Sequence, residues 1–190
     1  MIDLSRRQFV TAASALALIS ACPKLGFAQD AGTLKIAIAA ETGNLDLLTN
    51  VSSLSSYTIV FDGLVQYGPN GTVEPGLAES WTIAEDGLSI TFNLRKGVTF
   101  SDGTPFDATA AEWNLKRWMG AADFSWIAIS DALDSIVVQD AQTLVIKLKR
   151  PVPAGLLELT IVRPVRFLSP KAVDSEGKQT APIGTGAWIV

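Results

Sequence analysis

The first 28 residues constrain the fold most, because their pattern indicates a cleavable signal that is not part of the mature protein. Two adjacent arginines, Arg6 and Arg7, precede a mostly apolar run from Ala12 to Ala21. A positive start, a short apolar middle and small residues before a cut make up a secretory signal, and about 20 apolar residues are needed to span a bilayer. A buried core helix, the alternative, would not need paired arginines before the run. We therefore predict that residues 1–28 are a signal peptide and that the protein works outside the cytoplasm.

The same segment indicates an export route and two alternative processing sites. Ser5 to Val10 resembles the twin-arginine motif, which directs folded proteins to export in bacteria. Gly26-Phe27-Ala28 has small residues around a large one and predicts cleavage before Gln29. Alternatively Cys22, the single cysteine, follows Ile19-Ser20-Ala21 as in a lipobox and would then carry a lipid. We predict a free protein, with lipidation of Cys22 as the alternative.

The composition excludes several classes of function. The chain has 15 Lys and Arg against 19 Asp and Glu; the signal takes away three bases and one acid, which leaves a net charge of −6. An acidic surface argues against nucleic acid as a partner. Because the sequence contains no histidine, neither a serine–histidine nor a cysteine–histidine nucleophile can form, and a metal site of imidazole and thiolate is excluded. We predict no enzyme, no catalytic residue and no intrinsic metal or cofactor.

Hydrophobic periodicity predicts an irregular mixture of strands and helices. Predicted strands lie at 33–39, 81–84, 88–94, 135–139, 143–149 and 187–190. Predicted helices lie at 52–64, at 108–119 behind the N-cap Asp107, at 154–160 and from Ser169-Pro170 onward. Because the two kinds of element do not alternate regularly, the fold class is α+β or mixed α/β. The chain stops within the last predicted strand, so we expect a fragment.

Turn residues between the strands predict the hairpins more closely. Glu85-Asp86-Gly87 is the turn of the hairpin 81–94, and its predicted inward-facing residues are Leu88, Ile90, Phe92 and Leu94. Asp140-Ala141 turns the second hairpin. Asp102 lies in the turn Ser101 to Pro105, and a turn aspartate explains it better than catalysis does.

Four motifs, in fixed order along the chain, resemble one family. They are Phe61-Asp62-Gly63-Leu64, Gly76-Leu77-Ala78-Glu79-Ser80-Trp81, Phe100-Ser101-Asp102-Gly103-Thr104-Pro105-Phe106-Asp107-Ala108 and Ala181-Pro182-Ile183-Gly184-Thr185-Gly186-Ala187-Trp188. The sequence thus resembles the family 5 extracellular solute-binding proteins, which are the peptide-, nickel- and opine-binding receptors of ABC importers. The resemblance covers essentially the whole chain after the signal.

The resemblance implies a type II periplasmic binding protein fold with an inserted subdomain, of which only the region of the first lobe is present. The implied divisions are the start of lobe one at 29–63, the inserted subdomain at 64–178 and the truncated return to lobe one at 179–190. It also implies a monomer in the periplasm that binds a small molecule and delivers it to an ABC permease in the inner membrane. Without the second lobe, we expect these 190 residues alone not to bind.

Within the family, the sequence looks most like the nickel-type branch. The matching stretches are Arg163-Pro164-Val165-Arg166-Phe167-Leu168-Ser169-Pro170 and Ala181-Pro182-Ile183-Gly184-Thr185-Gly186. This resemblance implies that Arg163 binds a carboxylate of a metal chelator and that Trp126 packs against the chelate. A tyrosine and a methionine of that branch are replaced near Thr49 and Leu54, and Ala187 stands where the family usually has proline. These departures bear on nickel more than on the class of receptor.

Each candidate residue also has an ordinary structural interpretation. Arg163 alone fits a surface arginine paired with an acid, Trp126 fits a buried core tryptophan, and Arg166 fits a structural salt-bridge partner. Three functions remain at this point. The first is a receptor for a nickel chelate or similar carboxylate-bearing metallophore, the second is a receptor for di- or oligopeptides, and the remote third is an exported hydrolase that uses carboxylates alone.

Overall fold

The computed structural model describes residues 45–49 and 54–189. The predicted signal peptide, Cys22 and the predicted strand 33–39 lie outside these residues. In the described part, helices and strands mix irregularly. The helices are α1 (Leu54–Val60), α2 (Ala108–Lys116), α3 (Ala128–Asp131) and α4 (Gly155–Glu158), with short 3-10 turns at Pro69–Gly71 and Ala122–Phe124. The strands are β1 (Val65–Tyr67), β2 (Val73–Pro75), β3 (Ala78–Ile83), β4 (Ser89–Leu94), β5 (Leu133–Asp140) and β6 (Thr143–Leu148). The mixed α/β prediction is confirmed.

An antiparallel sheet in the order β3-β4-β6-β5 forms the centre of the described chain. The two predicted hairpins supply it, because β3 pairs with β4 and β5 pairs with β6. Ile90, Phe92 and Leu94 are buried as predicted, but Leu88 is 37% exposed. Leu88 precedes the first residue of β4, and its amide donates to the Asp86 carboxylate at 2.9 Å, so it belongs to the turn.

Helix α2 packs against the sheet and begins where the sequence predicts. The Asp107 carboxylate accepts the amide hydrogen of Ala110 at 2.9 Å, which satisfies one of the free donors of the first turn. The helix ends at Lys116, three residues before the predicted end, and is followed by turns that reach Gly120 at φ +80°. Its buried face joins the sheet in one apolar core with Trp118, Phe106 and Phe167.

A second apolar core lies beside the first and joins distant parts of the chain. It contains Leu45, Leu47, Tyr57, Val60, Phe61, Leu168 and Ala172. The Gln179 side chain crosses this region: its amide nitrogen donates to the Leu45 carbonyl at 2.8 Å, and its oxygen accepts from the Leu47 amide at 3.1 Å. The domain boundaries at 63/64 and 178/179 stay a prediction. Among the described residues, no helix is long and apolar enough to cross a bilayer.

Three predicted elements differ in the structure. Helix α1 ends at Val60 rather than Leu64, since the carbonyls of Ile59 and Val60, which would accept from Gly63 and Leu64 in a longer helix, accept from the distant amides of Trp188 (3.3 Å) and Gly186 (2.9 Å) instead. No helix begins near Ser169-Pro170, and residues 187–189 form no strand. In each case long-range hydrogen bonds take up backbone groups that the local pattern assigns to a regular element.

Asn114 fixes the chain just before Ser169. Its side chain is 3% exposed; its amide nitrogen donates to the carbonyls of Ala110 (2.9 Å) and Leu168 (2.8 Å), and its oxygen accepts from the Leu168 amide (2.9 Å). Both backbone groups of Leu168 are therefore bonded to one side chain on α2. These bonds hold the chain at Leu168 against α2.

Replacing Asn114 should destabilise the fold strongly. Asn114→Ala leaves the buried backbone groups of Leu168 unpaired, so we expect the free energy of unfolding to fall by about 2–4 kcal/mol. Urea denaturation of the full chain measures this. Asn93→Ala is the control, because Asn93 is exposed and bonds only to the Ser80 hydroxyl at 3.0 Å; it should change stability by less than about 0.5 kcal/mol. Equal effects of the two changes would contradict this role for Asn114.

The hydrogen bond from Ser169 to Asp102 should make the stability of the fold depend on pH in the acid range. Partial burial acts to raise the pKa of Asp102, but hydrogen bonds from the Ser169 hydroxyl (2.7 Å) and the Thr104 amide (2.9 Å) outweigh it and hold the pKa below its ordinary value. The resulting stability is present above the unfolded-state pKa of about 3.9 and is lost as the pH falls through the lower folded value.

Ser169→Ala should therefore raise the pKa of Asp102 and reduce the loss of stability on acidification below about pH 4. A carbon-detected NMR titration of the Asp102 carboxyl measures the shift. Ser101→Ala removes a neighbouring exposed hydroxyl and should leave the titration unchanged. An unchanged midpoint in Ser169→Ala would show that this hydrogen bond does not hold the pKa down.

Candidate functional site

Arg163 lies half-buried at the surface between the two cores. Its Nη2 donates to the Leu48 carbonyl, and its guanidinium carbon lies 6.0 Å from the centre of the Phe124 ring. The Nε atom is buried and has no hydrogen-bond partner among the residues that the structure describes. The expected pairing with an acid is absent there too, because the ion pairs in the described residues are Glu112–Lys116 and Asp131–Arg150. The Arg163 cation is thus oriented by a carbonyl and an aromatic ring.

The carbonyl that accepts from Arg163 belongs to a tightly bonded turn. The Asp46 carboxylate accepts from the amides of Leu48 (2.8 Å) and Thr49 (3.3 Å), and the Tyr57 hydroxyl donates to the Asp46 carbonyl at 2.9 Å. Burial raises the pKa of the Tyr57 phenol; the Arg163 guanidinium opposes that shift and Asp46 adds to it. Arg163 therefore acts electrostatically on this turn as well as bonding to it.

Trp126 lies on the surface rather than in the core. Its side chain is 61% exposed, so the interpretation as a buried core tryptophan is wrong. Phe124, two residues earlier, is buried and packs edge-on against Trp118, with ring centres 6.3 Å apart. Since Phe124 also contacts Arg163, the structure places the Trp126 segment next to the arginine. An exposed indole two residues from the ring that contacts the guanidinium offers an aromatic face in the same segment of the surface.

Arg166 differs from the prediction and belongs to a separate pocket. It is 8% exposed, and it donates to the carbonyls of Val165 (3.1 Å) and Thr160 (3.4 Å) instead of forming a salt bridge. Burial lowers the pKa of Arg166, and the nearby Asp62 carboxylate opposes that shift. The pocket, of about 340 Å³, is also lined by Asp62, Gly63 and Tyr67.

The described residues contain no cluster of three or more acids, histidines or cysteines that could hold a metal ion. Asp102 forms the predicted turn, with Thr104 donating to its carboxylate. Sequence reasoning missed the half-buried Glu158, whose carboxylate accepts from the amides of Ala128 and Ile129. No local signal could have identified it, because its partners lie 29 and 30 residues away along the chain.

Comparison with known proteins identifies the family of the chain. The profile of the bacterial extracellular solute-binding proteins, family 5 middle region, matches residues 72–190. The nickel-binding periplasmic protein of Escherichia coli is 36% identical over 143 residues, which are 73% of this chain and 27% of that protein. The glutathione-binding protein GsiB of Shigella boydii is 29% identical over an alignment of 194 positions, gaps included, that covers 96% of this chain and 36% of that protein.

Solved structures give the same result. An ABC transporter substrate-binding protein from Sinorhizobium meliloti superposes with a TM-score of 0.81 and 46% identity, over 83% of this chain and 33% of the other. NikA from Brucella suis in complex with Fe(III)-EDTA superposes with a TM-score of 0.70 and 36% identity, over 75% and 30%. The chain spans between 27% and 36% of the length of these relatives. The resemblance and the periplasmic binding protein fold are confirmed: the chain belongs to the bacterial extracellular solute-binding proteins of family 5.

Proposed function

We propose that this chain is part of the periplasmic receptor of an ABC importer, and that it binds a small ligand through a carboxylate, with a nickel chelate as the first candidate. The observation that carries the proposal is the state of Arg163. Its guanidinium is oriented by the Leu48 carbonyl and by the Phe124 ring, and it pairs with no acid in the described part of the chain. The proposed partners are the inner-membrane permease and the ligand, and the receptor acts as a monomer that performs no catalysis.

The chemistry of a guanidinium supports a carboxylate as the group bound. Arginine presents its N–H donors in a planar fork that matches two carboxylate oxygens, and such charge-assisted bonds are about twice as strong as neutral ones. The carbonyl contact at Nη2 fixes the plane of that fork. Because the rest of the chain after the signal is acidic, a cation that forms no ion pair with a described residue is the place where an anionic ligand gains most.

The names of the relatives support a chelated metal and leave a peptide as the second candidate. The Escherichia coli relative is named for nickel, and the Brucella suis structure holds Fe(III)-EDTA, a metal bound by carboxylates. The Shigella relative is named for glutathione, and DppA from Helicobacter pylori, 28% identical with a TM-score of 0.63, was solved with a peptide. Fe(III)-EDTA, glutathione and a peptide all carry carboxylates, and nickel would bring one through its chelator, so Arg163 is compatible with each of them.

Calorimetry on the natural full-length protein tests the proposal. We expect heat of binding with nickel in the presence of L-histidine, and none with free nickel. Dipeptides and glutathione are tested in parallel. If these bind and the nickel chelate gives no heat, the peptide alternative is correct and the nickel chelate is not the ligand.

Removing the guanidinium should weaken binding of whichever carboxylate ligand gives heat. For Arg163→Ala we expect a loss of about 2–3 kcal/mol of binding free energy, as for a charge-assisted hydrogen bond. Arg95→Ala is the matched control, since Arg95 also donates to a backbone carbonyl, that of Gly76 at 2.6 Å, but is exposed elsewhere on the surface. Unchanged affinity in Arg163→Ala would remove this residue from the site.

Replacing Trp126 and Trp118 one at a time should distinguish an effect on ligand binding from an effect on stability. Trp126→Ala should weaken binding at least about fivefold, as for loss of an aromatic contact, while stability changes by less than about 0.5 kcal/mol because the indole is 61% exposed. Trp118→Ala should instead lower the free energy of unfolding by about 3–5 kcal/mol, because Trp118 is 2% exposed in the core. Thermal denaturation and calorimetry measure the two effects. Normal affinity in a folded Trp126→Ala variant would contradict the role of the indole.

A further inference from the structure

Glu158 makes two hydrogen bonds to a segment far away along the chain. It is the last residue of α4, and it is half-buried. One carboxylate oxygen accepts the amide hydrogen of Ile129 at 2.7 Å, and the other accepts that of Ala128 at 3.2 Å. Both oxygens are thus used on consecutive backbone amides. A carboxylate that accepts from backbone amides forms charge-assisted bonds, which are stronger than those between neutral groups.

These two amides open α3, which has no cap of its own. The residue at its N-cap position is Ile127, whose side chain cannot accept a hydrogen bond. Since the first amides of a helix lack partners within it, Ala128 and Ile129 need an outside acceptor. Glu158 supplies that acceptor from α4. The start of α3 is therefore held by a residue of another element rather than by its own sequence.

The hydrogen bonds of Glu158 join the two segments that carry the candidate binding residues. Trp126 precedes Ala128 by two residues, and Glu158 precedes Arg163 by five. The backbone carbonyl of Glu158 accepts from the Ile161 amide at 3.1 Å, so Glu158 also anchors the segment that leads to Arg163. On the other side of Trp126, buried Phe124 contacts the Arg163 guanidinium. The backbone that carries the exposed indole is thus flanked by two contacts to the segment 158–163.

We propose that Glu158 is a positioning residue that sets the place of the Trp126 indole relative to the Arg163 guanidinium. This inference rests on the proposed function, because it assigns the two groups to one ligand. Glu158 itself does not touch the ligand. It acts through the backbone of Ala128 and Ile129. In this way it fixes the distance between the Trp126 indole and the Arg163 guanidinium.

Glu158→Gln tests the contact without changing the size of the side chain. The amide group keeps one acceptor oxygen and replaces the other with a donor, which faces a backbone N–H. Hydrogen exchange of the Ala128 and Ile129 amides, followed by NMR in the natural full-length protein, should accelerate by roughly tenfold or more for at least one of them. Glu79→Gln is the matched control: Glu79 is exposed on β3, and exchange at Ala128 and Ile129 should not change.

The binding readout separates positioning from mere stabilisation. For nickel with L-histidine, Glu158→Gln should weaken affinity about tenfold, and in a Trp126→Ala background the same change should have less than about a twofold effect, since residues that act together are not additive. Full additivity, or unchanged affinity despite faster exchange, overturns the positioning role. Unchanged exchange overturns the inference regardless of binding.

A failure of the proposed function gives a different pattern. If none of nickel with L-histidine, dipeptides and glutathione binds the natural protein, the receptor proposal is wrong, and the structural half of the inference is still decided by hydrogen exchange. Acrylamide quenching of Trp126 fluorescence, obtained as the difference from Trp126→Phe, then reports the indole directly. Greater quenching in Glu158→Gln than in Glu79→Gln supports the contact, and equal quenching overturns it.

Discussion

The backbone at residues 60–64, where α1 ends, is the constraint on which the rest of the structure depends. Its carbonyls accept from the amides of 76–78 (2.9–3.1 Å), of Phe167 (3.0 Å) and of Gly186 (2.9 Å), and the Asp62 carboxylate accepts from Thr185 at 2.9 Å. Three stretches distant in sequence thus meet at one short segment. A Cβ added at Gly184 would meet the Val60 carbonyl at 2.0 Å, so the glycine there is required by close approach of two backbones. Two family motifs, separated by more than a hundred residues, are in this way explained by one contact.

This meeting point also helps to determine where the candidate residue Arg163 lies. The chain from Glu158 to Leu168 carries Arg163, and it is fixed before that residue by the bonds of Glu158 and after it by those of Phe167 and Leu168. Arg163 lies between these anchors and reaches the turn at Leu48. Rigid support on both sides limits the entropy lost when a ligand binds, since the groups that bind are already oriented. The candidate site is therefore a consequence of how the two cores are joined.

The sequence predicted those features whose partners are local. The Asp107 cap, the turns of the two hairpins and the Asp102 turn each depend on residues within about five positions, and the structure has all of them. The predicted end of α1 and the predicted helix near Ser169 are wrong, because the backbone groups at these places bond to residues many positions away. The exposure of Trp126 depends in the same way on how distant segments pack. Family resemblance supplied Arg163 and Trp126 as candidates, whereas Glu158 required the three-dimensional structure.

Arg163 by itself cannot select among the ligands of this family. A guanidinium binds the carboxylate of a metal chelate, of a peptide and of glutathione by the same geometry, so it contributes affinity shared by all of them. Selectivity is a difference between affinities and must come from groups that meet the ligands differently. The exposed indole of Trp126 is such a group, because a flat chelate and an extended peptide present different surfaces to it. Thr49 is another candidate, since its amide donates to the Asp46 carboxylate in the turn beside Leu48. Under our proposals, the spacing of the Arg163 guanidinium and the Trp126 indole governs which carboxylate ligand fits, and Glu158 controls that spacing.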